Sequence, residues 1–181
     1  RESKILRKNW HQICYIYDDY DMHDINFELK AVGLGPNSFF NNCSIGFYMN
    51  KKYEITVFEV NGVKTKFSFQ SFVLSFDTRL TNLQSVKIHL KYKEFPINSG
   101  LSSQKKEVSK FYKQKYYGIS ESNAGQMAKF SLILKGSFDI VSFKDNFFAR
   151  NEKNKNEKEY VWGGKVPKEG KRTLLMFSKN E

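Results

Sequence analysis

The sharpest candidate for metal chemistry is an acidic run at positions 18–24, which lies between two hydrophobic stretches. Three of its carboxylates, Asp19, Asp21 and Asp24, could supply oxygens to a calcium ion, because calcium accepts many oxygen ligands in loose geometry. The spacing does not match the loop of an EF-hand, and a solvated turn accounts for the same residues. The run therefore predicts either a calcium site or a charged turn, and we favour the turn.

A second candidate site interleaves positive charge with aromatic rings at positions 104–117. Single-stranded nucleic acid is held by stacking platforms flanked by basic side chains, and an anionic membrane surface selects similar residues. The residues that would serve this role are Lys105, Lys106, Lys110, Tyr112, Lys113 and Tyr116. A tyrosine-rich loop packed on a sheet would have the same composition, so polyanion binding is the second interpretation of this segment.

The formal net charge of +11 is weaker evidence for a polyanion than its size suggests. A basic protein is expected to bind nucleic acid, anionic membranes or acidic partners. However, the chain is rich in Lys, Asn, Phe, Tyr and Ile and has only three prolines, as expected when codons come from an AT-rich genome. Such a bias adds lysines without selecting them for binding, so only local clustering of charge carries weight.

Catalytic motifs are absent from the sequence. Cys14 and Cys43 stand in apolar, strand-like contexts without a helix N-terminus to lower a thiol pKa, and we expect them to be buried thiols rather than a disulfide. His11 and His23 have no neighbours at zinc-ligand spacing, and no Gly-x-Ser-x-Gly elbow occurs. We therefore expect a protein that is not an enzyme and needs no cofactor. An enzyme that uses the acidic run with a metal is the third possibility.

The clearest structural element that could position these residues is a β-hairpin at positions 53–70. It turns at Asn61-Gly62, the pair favoured in a two-residue type I′ turn because both central residues need positive φ. The predicted register places Val60 opposite Val63, Glu59 opposite Lys64 and Thr56 opposite Phe67.

Alternation of apolar and polar residues predicts further strands. Positions 86–92 alternate most cleanly, with a basic outer face that includes His89, and positions 25–31 show the same period of two. Two more hairpins are predicted at positions 126–143 and 160–177, the second around a turn from Pro167 to Gly170. Roughly eight to ten short strands and no long amphipathic helix indicate a sandwich.

The sequence therefore predicts an all-β, antiparallel β-sandwich of immunoglobulin-like architecture. We expect one domain over residues 1–181, with lysine-rich, mobile loop insertions at 99–118 and 150–159. The chain has no initiating Met and begins with RESKILRKNW, so we expect it to be a piece of a larger protein.

The leading functional hypothesis is a non-catalytic protein-interaction module of a larger, cytoplasmic protein. Its partner would be another protein or another domain of the same chain. The alternative is a polyanion-binding module that uses the segment 104–117 to bind nucleic acid or an anionic membrane. No window approaches the roughly 18 apolar residues of a membrane span, so we expect no transmembrane segment.

Overall fold

The computed structural model describes residues 2–49, 51–96, 113–144, 148–151 and 158–179. These residues form strands joined by turns, with one short 3-10 helix at Glu121–Asn123. The strands are β1 (Lys4–Ile16), β2 (Asp21–Val32), β3 (Phe39–Gly46), β4 (Lys51–Val60), β5 (Val63–Lys64), β6 (Ser68–Gln70), β7 (Val73–Thr81), β8 (Ser85–Pro96), β9 (Lys113–Ile119), β10 (Met127–Leu134), β11 (Phe138–Lys144), β12 (Ala149–Asn151), β13 (Lys158–Lys165) and β14 (Lys171–Lys179).

The strands are arranged in one large sheet and two small ones. The eight-stranded sheet has the order β12-β13-β10-β1-β2-β8-β4-β5, and the three-stranded sheets have the orders β11-β14-β9 and β3-β7-β6. Their inner faces share one hydrophobic core that contains Cys14, Phe27, Leu90, Phe130 and Phe177. The predicted all-β sandwich is confirmed. Pairing is antiparallel except between β1 and β10, which run parallel.

The predicted alternation is confirmed in β2 and β8. Val86, Ile88 and Leu90 are buried along β8, and every second residue of β2 is buried from Asp21 to Ala31. A period of two places alternate side chains on opposite faces of a strand. β2 and β8, which are neighbours inside the large sheet, therefore bury one face in the sandwich and keep charged residues on the other.

The Asn61-Gly62 turn forms as predicted, but the hairpin is shorter than expected. Both residues have positive φ, 52° and 78°, and Glu59 pairs with Lys64 and Val60 with Val63. The predicted pairing of Thr56 with Phe67 is wrong. After β5 the chain leaves β4, and β6 pairs with β7 in a small sheet. One further bond keeps the predicted register, from the amide of Thr65 to the carbonyl of Phe58 at 3.1 Å. The turn residues fix only these first pairs.

The two later hairpins are also wrong as pairs of strands. β10 pairs with β13 and β1, whereas β11 pairs with β14. The turn between β13 and β14 does form, since the amide of Gly170 donates to the carbonyl of Pro167 at 3.0 Å. It connects the large sheet to a small sheet instead of joining neighbours within one sheet.

The insertion expected at 99–118 contains a strand. Residues 97–112 lie outside the described ranges, but β9 occupies positions 113–119 and pairs with β14. At 150–159, positions 152–157 lie outside the described ranges, and the two flanking segments belong to β12 and β13.

Cys14 and Cys43 are buried thiols that do not form a disulfide. No helix of the described residues is both long and apolar enough to span a membrane.

Candidate functional site

The structure separates the three carboxylates of the acidic run. Asp19 is exposed in the turn between β1 and β2, whereas Asp21 opens β2 and is only 1% exposed on its inner face. Asp24 lies on the opposite face of β2, where its Oδ1 is 2.8 Å from Nε2 of His89. The three side chains therefore do not converge on one point in this structure, and the calcium site remains a prediction from the sequence.

Most of the predicted polyanion site cannot be placed in the structure. Lys105, Lys106, Lys110 and Tyr112 lie outside the described residues, and Lys113 is the first residue of β9. Tyr116 is described and is exposed on the same strand. Of the residues predicted to bind a polyanion, Tyr116 alone has a side chain that the structure describes. Polyanion binding remains a prediction for all of them.

Sequence reasoning missed a cluster of buried charged groups between the sheets. Asp21 on β2 and Glu94 on β8 both face inward, and the Lys115 ammonium on β9 forms an ion pair with each carboxylate. Tyr117, two residues along β9, donates its hydroxyl hydrogen to Asp21 Oδ2 at 2.8 Å. Lys51 pairs with the other oxygen of Glu94 at 3.1 Å. The cluster thus links β9 to the middle of the large sheet.

A directed chain of hydrogen bonds runs into this cluster from β1. The indole of Trp10 donates to Gln12 Oε1 at 3.0 Å, and Gln12 Nε2 lies 2.9 Å from His23 Nδ1. An indole N–H can only donate, so it fixes the orientation of the Gln12 amide, whose nitrogen then donates to His23. His23 therefore carries its proton on Nε2 and donates it toward Glu94 Oε2 at 3.4 Å.

The charges around Glu94 control its titration. Burial alone would raise the pKa of Glu94, but the hydrogen bond from His23 and the ammonium groups of Lys115 and Lys51 hold it well below its ordinary value. Burial likewise disfavours the charged form of Lys115, yet Asp21 and Glu94 raise the pKa of Lys115 above its ordinary value. Both shifts indicate ionised partners that stabilise each other in the folded protein.

Part of the cluster also has the donor atoms of a metal site. One ligand atom from each of Cys14, Asp21 and His23 lies within 4.8 Å of the others, and all three residues are buried. Sulfur, nitrogen and oxygen donors of this kind suit zinc. A cation there would displace the Lys115 ammonium from Asp21 and compete with the two hydrogen bonds of His23. The donor set therefore fits a metal only if the cluster rearranges.

The cluster borders a cavity of about 690 Å³ that lies between the sheets. Aromatic side chains form much of its wall, and basic side chains reach it from four strands or their ends. The aromatic lining includes Trp10, Phe47, Tyr48, Tyr53, Tyr92 and Tyr116, and the basic lining is Arg7, Lys51, Lys115 and Arg172. A cavity of this size and lining is typical of a site for a small organic molecule.

The lowered pKa of Glu94 predicts an acid-sensitive fold. Below pH 4.5, the ordinary pKa of this carboxyl, the unfolded chain binds a proton that the folded protein does not bind until lower pH. Stability is therefore lost as pH falls from 4.5 toward the folded-state pKa, with a slope of about 1.4 kcal/mol per pH unit. Urea denaturation at a series of pH values measures this slope.

The control for this prediction compares two carboxyl groups. Glu94→Gln removes the titrating group, so the acid slope should be shallower in that variant. Glu54→Gln, on the exposed outer side of β4, should leave the slope unchanged. Equal slopes for Glu94→Gln and the unaltered protein would show that Glu94 does not set the acid limit.

No protein-family model matches the chain, and neither does any curated protein. Solved structures do match its fold. The M1 zinc metallopeptidase from Deinococcus radiodurans superposes with a TM-score of 0.59 at 10% identity, over 96% of this chain and 42% of the peptidase chain. The leukotriene A4 hydrolase from Saccharomyces cerevisiae gives 0.56 at 9% identity, over 96% of this chain and 29% of the hydrolase chain.

At such low identity the likeness concerns the fold alone. This chain spans less than half the length of the enzymes it superposes on. It therefore has the fold of a β-rich domain that, in those proteins, is one part of a longer chain.

Proposed function

We propose that this chain is a non-catalytic interaction module of a larger cytoplasmic protein. Its partner is another protein or another domain of the same chain, and the contact surface is the rim of the inter-sheet cavity. The lengths of the superposed enzymes support the proposal that the chain is a module of a larger protein, because a fold of this kind occurs in them within a longer chain. The reduced thiols Cys14 and Cys43 suit a reducing compartment.

The observation that carries the proposal is the exposed apolar rim of the cavity. Tyr48, Met49 and Tyr116 line the cavity and are 55%, 69% and 61% exposed. Arg172 stands beside them, with its guanidinium 5.2 Å from the centre of the Tyr48 ring. Aromatic, Met and Arg side chains are the types enriched in protein interfaces, and clustered exposed apolar groups mark such surfaces.

The state of the buried groups supports a non-catalytic role. Glu94 and Asp21 are held by Lys115, Lys51 and Tyr117, so neither carboxylate is poised as a general base. Burial raises the pKa of Cys43, the opposite of what a nucleophilic thiol needs. The two carboxylates act as structural charges in the core of the module, and Cys43 is a buried neutral thiol.

Capture from a lysate of the source organism, with a pair of matched variants, tests this proposal. Met49→Ser alters the rim, and Met127→Ser removes an equally exposed Met, 62% against 69%, that does not line the cavity. We expect Met49→Ser to weaken capture of a discrete protein by about tenfold, because an interface anchor contributes about 1–2 kcal/mol. Met127→Ser should retain it. Equal capture by both variants would place the interface elsewhere.

The second candidate is a polyanion-binding module. The charge of +11 and the exposed ring of Tyr116 beside the basic rim favour it. Binding to a polyanion weakens steeply as salt is added, whereas an apolar protein interface is less sensitive. If every captured protein is lost after nuclease treatment or at raised salt, this candidate replaces the protein-interaction module.

A further inference from the structure

Two guanidinium groups line the cavity without a carboxylate partner among the described residues. Arg7 on β1 and Arg172 on β14 both line it, and neither makes an ion pair with a carboxylate in the described part of the chain. Arg7 lies over the ring of Trp10, 5.6 Å from its centre. Arg172 Nη2 donates to the hydroxyl of Tyr48 at 2.6 Å. Each guanidinium thus has an aromatic contact, and no carboxylate of the described residues occupies its N–H donors.

The other cations of the cavity are already neutralised. Lys51 and Lys115 are balanced by Glu94 and Asp21 in the cluster described above. Among the residues that the structure describes, the two arginines are therefore positive charges that no carboxylate balances. Burial lowers the pKa of Arg7, while Tyr48 and Tyr92 act in the opposite direction, which places Arg7 in a poorly hydrated position next to the same tyrosine that Arg172 contacts. Such a position favours an anion from outside the chain.

The remainder of the cavity suits an apolar molecular body. Phe47 lies edge-on to Tyr53 and Tyr92, with ring centres 4.9 and 5.0 Å apart. Ile45, Leu90 and Phe130 complete an apolar wall. The volume of about 690 Å³ is within the range of pockets that hold a molecule of drug-like size. The cavity therefore offers two guanidinium groups together with aromatic and aliphatic surface.

We propose that this cavity binds a small organic acid, with a carboxylate on Arg7 and Arg172 and an aromatic or aliphatic body against Trp10, Phe47 and Tyr92. The planar fork of a guanidinium pairs with both oxygens of a carboxylate, which gives short, charge-assisted hydrogen bonds. This site shares Arg172 with the partner surface proposed above, but it needs no second protein, so the two proposals are tested separately.

Calorimetry with three probes of one shape tests the charge of the ligand. Phenylbutyrate, phenylbutanamide and phenylbutylamine share an apolar body and differ only in the head group. We expect the carboxylate to bind at least about tenfold more tightly than the amide, since charge-assisted hydrogen bonds are about twice as strong as neutral ones. The amine should bind most weakly. Equal affinities, preference for the amine, or no binding of the carboxylate would overturn the proposal.

Three variants then locate the carboxylate. Arg7→Met and Arg172→Met should each weaken phenylbutyrate binding by about tenfold, the value of one charge-assisted contact. Arg79→Met is the control, since Arg79 also lies over an aromatic ring, that of Phe39 at 4.4 Å, but does not line the cavity. Unchanged affinity in both cavity variants would overturn the assignment.

The unaltered protein provides a readout that does not depend on variants folding. Trp10 lines the cavity, so a bound phenyl group should change its fluorescence, and phenylbutyrate should do so at lower concentration than phenylbutanamide. No fluorescence response to phenylbutyrate would overturn the proposal even if a variant failed to fold. Loss of protein capture in the rim test would leave this result unaffected, so the two proposals fail separately.

Discussion

Replacing Lys115 with Met should lower the free energy of unfolding by about 3–5 kcal/mol, the usual cost of removing one partner from a buried ion pair. The Lys115 ammonium pairs with Asp21 and Glu94, whose side chains are only 1% and 8% exposed. Glu94 keeps Lys51 and His23, but Asp21 loses the cation that compensates its burial. Urea denaturation at neutral pH measures the loss.

A surface pair offers the matched control. Lys158 pairs with Asp139 at 2.5 Å, and both side chains are 37% exposed. Because exposed ion pairs contribute about 0–1 kcal/mol, Lys158→Met should change stability by no more than that. If Lys115→Met costs no more than Lys158→Met, the cluster is not the stabilising ion pair that its geometry indicates.

A double variant separates the ion pair from simple loss of packing. Asp21→Asn keeps an oxygen that can accept from Tyr117 but removes the buried charge. In the Lys115→Met background it should cost much less than in the unaltered protein, with a coupling energy of about 1.5–3 kcal/mol. Strictly additive effects would mean that the two side chains act independently.

The sequence was sufficient to predict the strands whose inner faces are apolar. Val86, Ile88 and Leu90 show the period of two that a half-buried strand requires, and Asn61-Gly62 has the backbone preference of its turn. These features depend on neighbours in the chain, so local reasoning recovers them. Strand partners beyond a tight turn depend on distant residues, and the pairings predicted for β6, β11 and β14 were wrong for that reason.

The buried cluster went unpredicted because its members are charged. Asp21 and His23 continue the inward positions of Ile25 and Phe27, and Glu94 continues those of Leu90 and Tyr92. A charged residue at an inward position normally indicates that a strand has ended, since unpaired charges are rarely buried. The sequence shows that these residues stand at every second, inward-facing position. It does not show the oppositely charged partner that allows them to be buried.

That partner lies on β9, which no local pattern identified. Lys115 follows a long lysine-rich run and pairs across to Leu175, sixty positions away in the chain. No turn connects β9 and β14 directly, so the sequence of one strand does not indicate that the other is its partner. The third member of the ion-pair cluster could be found only when the structure brought β9 against β2 and β8.

Gly118→Ala should be the most damaging single-methyl change in β9, with a loss of about 3 kcal/mol or more in the free energy of unfolding. Gly118 has a φ of +156°, and an added Cβ would lie 1.9 Å from the carbonyl oxygen of Lys171 and 2.8 Å from Cα of Arg172. Both obstacles belong to the backbone of β14, so a side-chain rotation cannot relieve them. β9 and β14 must separate locally, and Lys115 and Tyr117 then lose their positions.

Gly164→Ala supplies the matching control, because its φ of +155° carries the same backbone cost without the clash. The nearest atom to a Cβ at Gly164 is Cζ2 of Trp162 at 3.5 Å, an ordinary contact. We expect a loss of about 1–2 kcal/mol, the backbone strain alone, so the difference between the variants measures the steric contact with β14. If both variants lose the same amount, β14 does not press on Gly118. The register that sets Gly118 opposite Arg172 and Lys115 opposite Leu175 would then be wrong, and the buried ion pair would lose its structural basis.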